Sequence, residues 1–224
     1  MKSKEPKLLM TGIILTVAFI IWTILIQVVD VQSVGQNGTD VGFATFNMWF
    51  HKLTGVHMWI YVVTDWLGLV PIFVCMTFAW VGFAQLVKRR SLFKVDCDII
   101  ILGIYYIVVI FNYLIFEMIP INYRPILIEG RMEASYPSST TLLVLSVMPT
   151  LVFQVNRRLT SEMIKKIICI SAYVFSLFMV VGRMIAGVHW FTDIIGSVMF
   201  SVGVFYIYRS VIMYIDNKKN NRES

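Results

Sequence analysis

The stretch Gly182-Arg-Met-Ile-Ala-Gly-Val-His-Trp-Phe-Thr-Asp193 puts Arg183, His189 and Asp193 inside a segment otherwise apolar enough to lie in a membrane. An ionisable side chain at membrane depth costs several kcal/mol, so three together imply a buried polar site with a partner or a ligand. His189 and Asp193 are four residues apart. On a helix they share one face, and the carboxylate can hold the imidazole. Arg183 is too far from His189 for one straight helix to bring it to that face. Gly182 and Gly187 predict a break, with Arg183 ending one helix and His189 opening the next. An arginine, a histidine and an aspartate at a helix N-terminus suit an anion.

The rest of the chain fits a membrane setting. Of its 224 residues, 58% are hydrophobic and 14% charged, with a mean hydropathy of +0.77. Polytopic helical membrane proteins have such compositions and soluble domains do not. The fold class expected is all-α, with six transmembrane helices near 8–29, 58–82, 98–119, 140–155, 167–187 and 191–211. The second is expected to bend at Pro71. In units, 1–57 holds the first helix and an outer segment, 58–212 the bundle core, and 213–224 a tail.

Fifteen of the 19 Lys and Arg residues fall on one side of this topology. They are Lys2, Lys4 and Lys7; Lys88, Arg89, Arg90 and Lys94; Arg157, Arg158, Lys165 and Lys166; and Arg209, Lys218, Lys219 and Arg222. The positive-inside rule then makes both termini cytoplasmic. The net charge of +6 reflects this bias and gives no case for nucleic acid. The first apolar run is too long for a signal-peptide core and reads as an uncleaved helix. Cys75, Cys97 and Cys169 have no metal-ligand spacing and read as small hydrophobes.

Two connections lie opposite the basic loops. In the first, Phe43 to Leu53 mixes aromatic residues with His51 and Lys52, which suits an interfacial helix or a plain tether. His51 and His57 lack a third ligand and read as interfacial polar residues. The second, Glu117 to Ser139, carries Glu117, Glu129 and Glu133 with Arg124 and Arg131, two exceptions to the basic bias. The turn after the fifth span carries a third exception, Arg183, so that turn and the Glu117–Ser139 connection face one side and can converge on one anion. Asp65, within the second span, is expected to pair with another polar group. Tyr123, Tyr136, Trp190 and Phe191 flank the site, as a grip on a lipid or as an interfacial aromatic belt.

The order Arg124-Pro125, Pro137-Ser138-Ser139, then Arg183, His189 and Asp193 resembles the type 2 phosphatidic acid phosphatase superfamily. That group of six-helix membrane lipid phosphatases also includes glucose-6-phosphatase and the vanadium haloperoxidases. Its motifs are Lys-x6-Arg-Pro, Pro-Ser-Gly-His and Ser-Arg-x5-His-x3-Asp. The third is matched except that Gly182 replaces Ser; the first is matched at Arg124-Pro125, and the second at Pro137-Ser138. The resemblance implies that His189 is the nucleophile taking the phosphoryl group and that Asp193 orients its ring. It also implies that Arg124, Arg183, Ser138 and neighbouring amides, those of Ser139 included, hold the phosphate oxygens. No metal and no cofactor are implied. The implied partner is a phosphorylated lipid in the cell membrane, met by a multi-pass protein on its extracytoplasmic side.

Three further positions depart from the pattern. Glu117 stands where the first motif has Lys, Ser139 where the second has Gly, and Thr140 where it has the His that protonates the leaving oxygen. Arg131 is the remaining cation in the loop, a substitute phosphate ligand or a partner for Glu129 or Glu133. A threonine is no general acid near neutral pH, and losing such an acid costs about 10²–10⁴ in rate. One reading is a substrate that needs little protonation, such as a polyprenyl diphosphate in preference to a phosphatidate-type monoester. Alternatively, Glu117, Glu129 or Glu133 carries the proton. A third reading is a protein that only binds or transports a lipid phosphate, and a fourth is a phosphoryl transferase.

Overall fold

The computed structural model describes residues 5–223, with side chains to residue 221. Lys2 and Lys4 lie outside the described residues, as does the side chain of Arg222. Among the described residues eight α-helices follow one another: α1 (Glu5–Val28), α2 (Ala44–Thr54), α3 (Met58–Leu67), α4 (Leu69–Arg89), α5 (Cys97–Met118), α6 (Ser139–Arg158), α7 (Glu162–Ile185) and α8 (Phe191–Glu223). With α3 and α4 counted as one span, six helices are long and apolar enough to cross a membrane, as the composition leads one to expect. Their outward faces are rich in bare apolar side chains, among them Trp59, Phe73 and Leu177. Such faces are stable only against lipid.

The joint between α3 and α4 falls at Gly68, not at Pro71. The two are one effect, because a proline ring crowds the carbonyl four residues earlier, here that of Leu67. The fifth span, α7, begins before its predicted start, and the sixth, α8, runs on through Asn217 to Glu223. Hydropathy marks the hydrocarbon layer, and helices continue into the aqueous layer wherever backbone bonding allows.

Small residues set the packing inside the bundle. α1 crosses α8 at Gly12 and Gly203; a Cβ on Gly12 would lie 2.8 Å from the Gly203 carbonyl oxygen. α6 and α8 meet through serines, with Ser146 donating to Ser201 at 3.1 Å and Ser197 donating to the Ser138 carbonyl at 3.0 Å. Close approach through Gly and Ser is how helices associate in lipid, where the hydrophobic effect does not drive them together. Beneath the ends that carry the site, Phe19, Phe116, Tyr136 and Phe200 form an aromatic layer, with Phe19 5.1 Å from Phe200 and Phe116 edge-on to Tyr136 at 5.4 Å.

The two ends of the bundle differ in chemistry. At one, Arg158 pairs with Asp98 at 2.7 Å and Asp96 at 3.2 Å, while Arg157 pairs with Asp216 at 2.6 Å. The arginines that mark the basic loops thus also tie α5, α6 and α8 together. The other end collects the C-termini of α5 and α7, the N-termini of α6 and α8, and both outer connections.

The α1–α8 crossing gives a direct test of this packing. Gly12→Val should cost about 1–3 kcal/mol through overpacking, read as a lower midpoint of thermal unfolding in detergent. An unchanged midpoint would contradict so close a crossing.

Candidate active site

Asp193 is the third residue of α8, and its carboxylate turns back to accept the Trp190 amide at 2.8 Å. This is the reciprocal capping that a carboxylate performs in a first helical turn. The same carboxylate accepts from the Ser135 hydroxyl at 2.5 Å and from Asn122 Nδ2 at 3.1 Å. It is fully buried.

His189 lies just before the helix, in the turn formed by Gly187 at φ 70°. Its Nδ1 is 3.9 Å from Asp193 Oδ2, beyond a direct hydrogen bond. Ser135 fills the gap: its carbonyl is 3.1 Å and its hydroxyl 3.2 Å from Nδ1. The spacing of the two residues therefore predicts the neighbourhood correctly and the contact incorrectly, because His189 is not helical. A proton on Nδ1 donated to the Ser135 carbonyl leaves Nε2 with its lone pair free. Nε2 is buried without a hydrogen-bond partner. Burial first, then the positive fields of Arg124 and Arg183, hold the ring well below its ordinary titration range. The imidazole is thus neutral near neutral pH.

Both arginines face Tyr61. The Arg183 guanidinium carbon sits 4.9 Å and that of Arg124 5.7 Å from the centre of its ring. Cations over an aromatic face are attracted by its quadrupole. Arg183, on the last turn of α7, donates to Thr140 Oγ1 at 2.6 Å, Thr64 Oγ1 at 3.3 Å and Asp65 Oδ1 at 3.3 Å. Arg124 pairs with Glu133 at 3.1 Å. Arg124 Nε and Nη1 and Arg183 Nε are buried donors without partners. Buried donors normally find acceptors. Three that stay unpaired beside a bare imidazole nitrogen define a place for an anion.

Two cavities, each of about 240 Å³, adjoin this cluster. One runs between α4, α5 and α6 and is mostly apolar, lined by Leu69, Ile72, Val109 and Leu142 with Asp65 and Thr140. The other is polar, lined by Glu117, Glu133, Arg124 and Tyr113. Ser139 and Tyr113 belong to both. Of the anion-binding residues, Arg124 lines the polar cavity, while His189 and Arg183 line neither.

The structure brings together His189, Asp193, Arg124, Arg183, Ser139 and Thr140, with Glu117 and Glu133 on the adjoining wall. Two candidates, Arg131 and Glu129, stand apart. Arg131 is exposed at the turn where it bridges Ile128, and Glu129 is exposed beside it. Ser138 precedes α6, but its hydroxyl donates to Thr141 Oγ1 at 3.1 Å, along the helix. Asp65 has the polar partner expected of it, Arg183. Sequence reasoning missed Ser135, Asn122 and Tyr61. For Tyr61 a signal exists: Tyr61, Thr64 and Asp65 form a polar stripe at helical spacing on an apolar span.

The outer segment holds the His189 turn in place. α2 lays Phe50 against Phe191 at 4.9 Å, Asn47 Nδ2 donates to Thr192 at 3.0 Å, and His51 Nε2 is 3.1 Å from the Gly187 carbonyl. A Cβ on Gly187 would lie 2.1 Å from the Gly55 carbonyl oxygen, so the turn accepts only glycine there.

The fold is one that membrane-embedded phosphatases use. The chain matches the PAP2 superfamily over residues 70–217, well over half its length, and it belongs to that superfamily. Among solved structures it is similar to the crystal structure of the first transmembrane PAP2-type phosphatidylglycerolphosphate phosphatase from Bacillus subtilis. The TM-score is 0.63 and the identity 16%, over 92% of this chain and 97% of that one. No curated protein matches the sequence.

The buried neutral ring has a consequence for stability. The unfolded chain takes up a proton at His189 below its ordinary value of 6.5, whereas the folded ring refuses it. Stability contributed by the neutral ring is therefore lost as pH falls through and below about 6.5. The melting-temperature difference between the wild type and His189→Gln should shift against the wild type over that range. A pH-independent difference would show that the ring is solvated.

Proposed function

We propose that the protein is an integral-membrane lipid phosphatase that works through a phosphohistidine at His189. The observation that carries this reading is the bare, buried Nε2 of His189 in the company of unpaired Arg124 and Arg183 donors. Phosphoryl transfer depends on positioning and charge neutralisation, and guanidinium groups bind phosphate through paired donors. In this account Nε2 attacks phosphorus, the P–O bond to the lipid breaks, and Arg124, Arg183 and the α6 N-terminus neutralise the equatorial oxygens. Ser135 and Asp193 keep Nδ1 protonated and stabilise the ring once it is phosphorylated. Water then attacks phosphorus and restores the free imidazole.

Thr140 hydrogen-bonds Arg183 and supplies no acid, so the leaving group must depart with little help. The lipid monophosphate that leaves when a lipid diphosphate gives up its terminal phosphoryl group does so, whereas the diacylglycerol of a phosphatidate does not. The site lies at the bundle end opposite the basic loops. The positive-inside bias accordingly assigns it to the extracytoplasmic side of the cell membrane, with both termini cytoplasmic. A protein that binds or transports a lipid phosphate without turnover is the alternative, favoured by Thr140 and by the absence of His189 from both cavity linings.

Purified wild-type protein should release inorganic phosphate from a lipid diphosphate in detergent micelles. Its quenched intermediate should carry acid-labile, alkali-stable phosphate on His189. His189→Ala should abolish release, and Asp193→Asn should reduce it by about 10²–10⁴-fold. Full activity in His189→Ala would remove the histidine from the mechanism. Tight lipid-phosphate binding without release by the wild type would favour the binding protein.

A further inference from the structure

Asp65 is the only carboxylate between Met58 and Arg89. It lies in the second turn of α3, about 10 Å along the helix from its outer end. An ionisable group at that depth calls for a full set of partners or for a function. Its partners are incomplete. Oδ1 accepts from Arg183 Nη2 at 3.3 Å, while Oδ2 has no hydrogen bond among the described residues. The Asp65 side chain is 56% exposed against 1% for Arg183, so the pair is not sealed as a structural ion pair would be.

The carboxylate lines the apolar cavity between α4, α5 and α6, and so does Thr140. The α3–α4 joint lies against that threonine: a Cβ on Gly68 would be 3.7 Å from Thr140 Cγ2. The Arg183 Nη2 that meets Asp65 also donates to Thr140 Oγ1 at 2.6 Å, and Arg183 Nε is bare. A phosphate oxygen held at Nε is therefore one guanidinium width from the Asp65 carboxylate. His189 lines neither cavity, so the imidazole and this carboxylate do not share a wall.

Resting on the phosphatase reading above, we propose that Asp65 is the general base that activates water for hydrolysis of the phosphohistidine. A base must reach its proton directly or through one water. In-line displacement brings the nucleophile in opposite the bond that breaks. The imidazole holds phosphorus from one side, and water enters from the cavity on the other. As the water oxygen bonds to phosphorus, its proton passes to Asp65 Oδ2. The P–N bond breaks and returns its electron pair to Nε2, inorganic phosphate leaves, and Asp65 gives the proton to bulk water. Arg183 stays charged throughout, holding the phosphate and the base on one plane of donors. Thr140 then needs no acid–base role: the first step runs on a good leaving group, and the second on Asp65.

The test uses the purified full chain and a polyprenyl diphosphate radiolabelled at its terminal phosphorus. Rapid quenching reads phosphohistidine formation and phosphate release separately. Asp65→Asn keeps an acceptor for Arg183 and loses the base. In it, phosphohistidine should form at close to the wild-type rate and accumulate, while phosphate release falls about 10²–10⁴-fold. Asp65→Glu, which restores a carboxylate, should recover part of the release. In heavy water the wild type should slow in release and not in phosphohistidine formation, a reading that needs no variant. Equal slowing of both steps in a folded Asp65→Asn, unchanged release in that variant, or equal release in both solvents overturns the proposal and leaves the phosphatase reading intact. A wild type that forms no phosphohistidine and releases no phosphate sinks both.

Discussion

The site depends on the carboxylate of Asp193, buried at the start of α8 and held by three donors from different parts of the chain. Trp190 contributes a local amide, while Ser135 and Asn122 arrive from the second outer connection. That convergence docks the loop onto the helix and sets Ser135 against the His189 ring. A buried carboxylate left short of donors costs far more than it contributes when satisfied. The three bonds are therefore a condition for burying it at all. Once met, the condition fixes the tautomer of His189 and leaves one ring nitrogen open.

Around that nitrogen the protein gathers positive charge without complete compensation. Asp65 and Glu133 each engage one arginine from the edge, and Tyr61 offers both a π face. The remaining donors point inward. This arrangement is costly in a membrane protein without an anion to receive it, and the α6–α8 serine contacts and the α1–α8 glycine crossing supply the rigidity that maintains it. The outer helix α2 belongs to the same construction, because its aromatic face and His51 hold the turn that presents His189.

Much of this was legible from residue types and order. Apolar runs gave the six spans, and the Arg183–Asp193 stretch marked the break between the last two. What escaped depended on backbone path. His189 and Asp193 share a helix face only if His189 is helical, and Gly187 prevents that, so the serine between them could not be read from their spacing. Arg131 looked like a spare cation until the turn at Ile128 carried it to the surface. Ser138 looked like a phosphate ligand, yet its hydroxyl follows α6 to Thr141. Polar residues in the second span are readable as a site, since Tyr61, Thr64 and Asp65 share one stripe and all meet Arg183.

The most direct measurement is a crystal structure with orthovanadate, which adopts the trigonal geometry of a phosphoryl group in transfer. The account predicts vanadium bonded to Nε2 of His189, with guanidinium nitrogens of both Arg124 and Arg183 within hydrogen-bond distance of its oxygens. Vanadate bound elsewhere, or held by only one of the two arginines with Nε2 still bare, would contradict it.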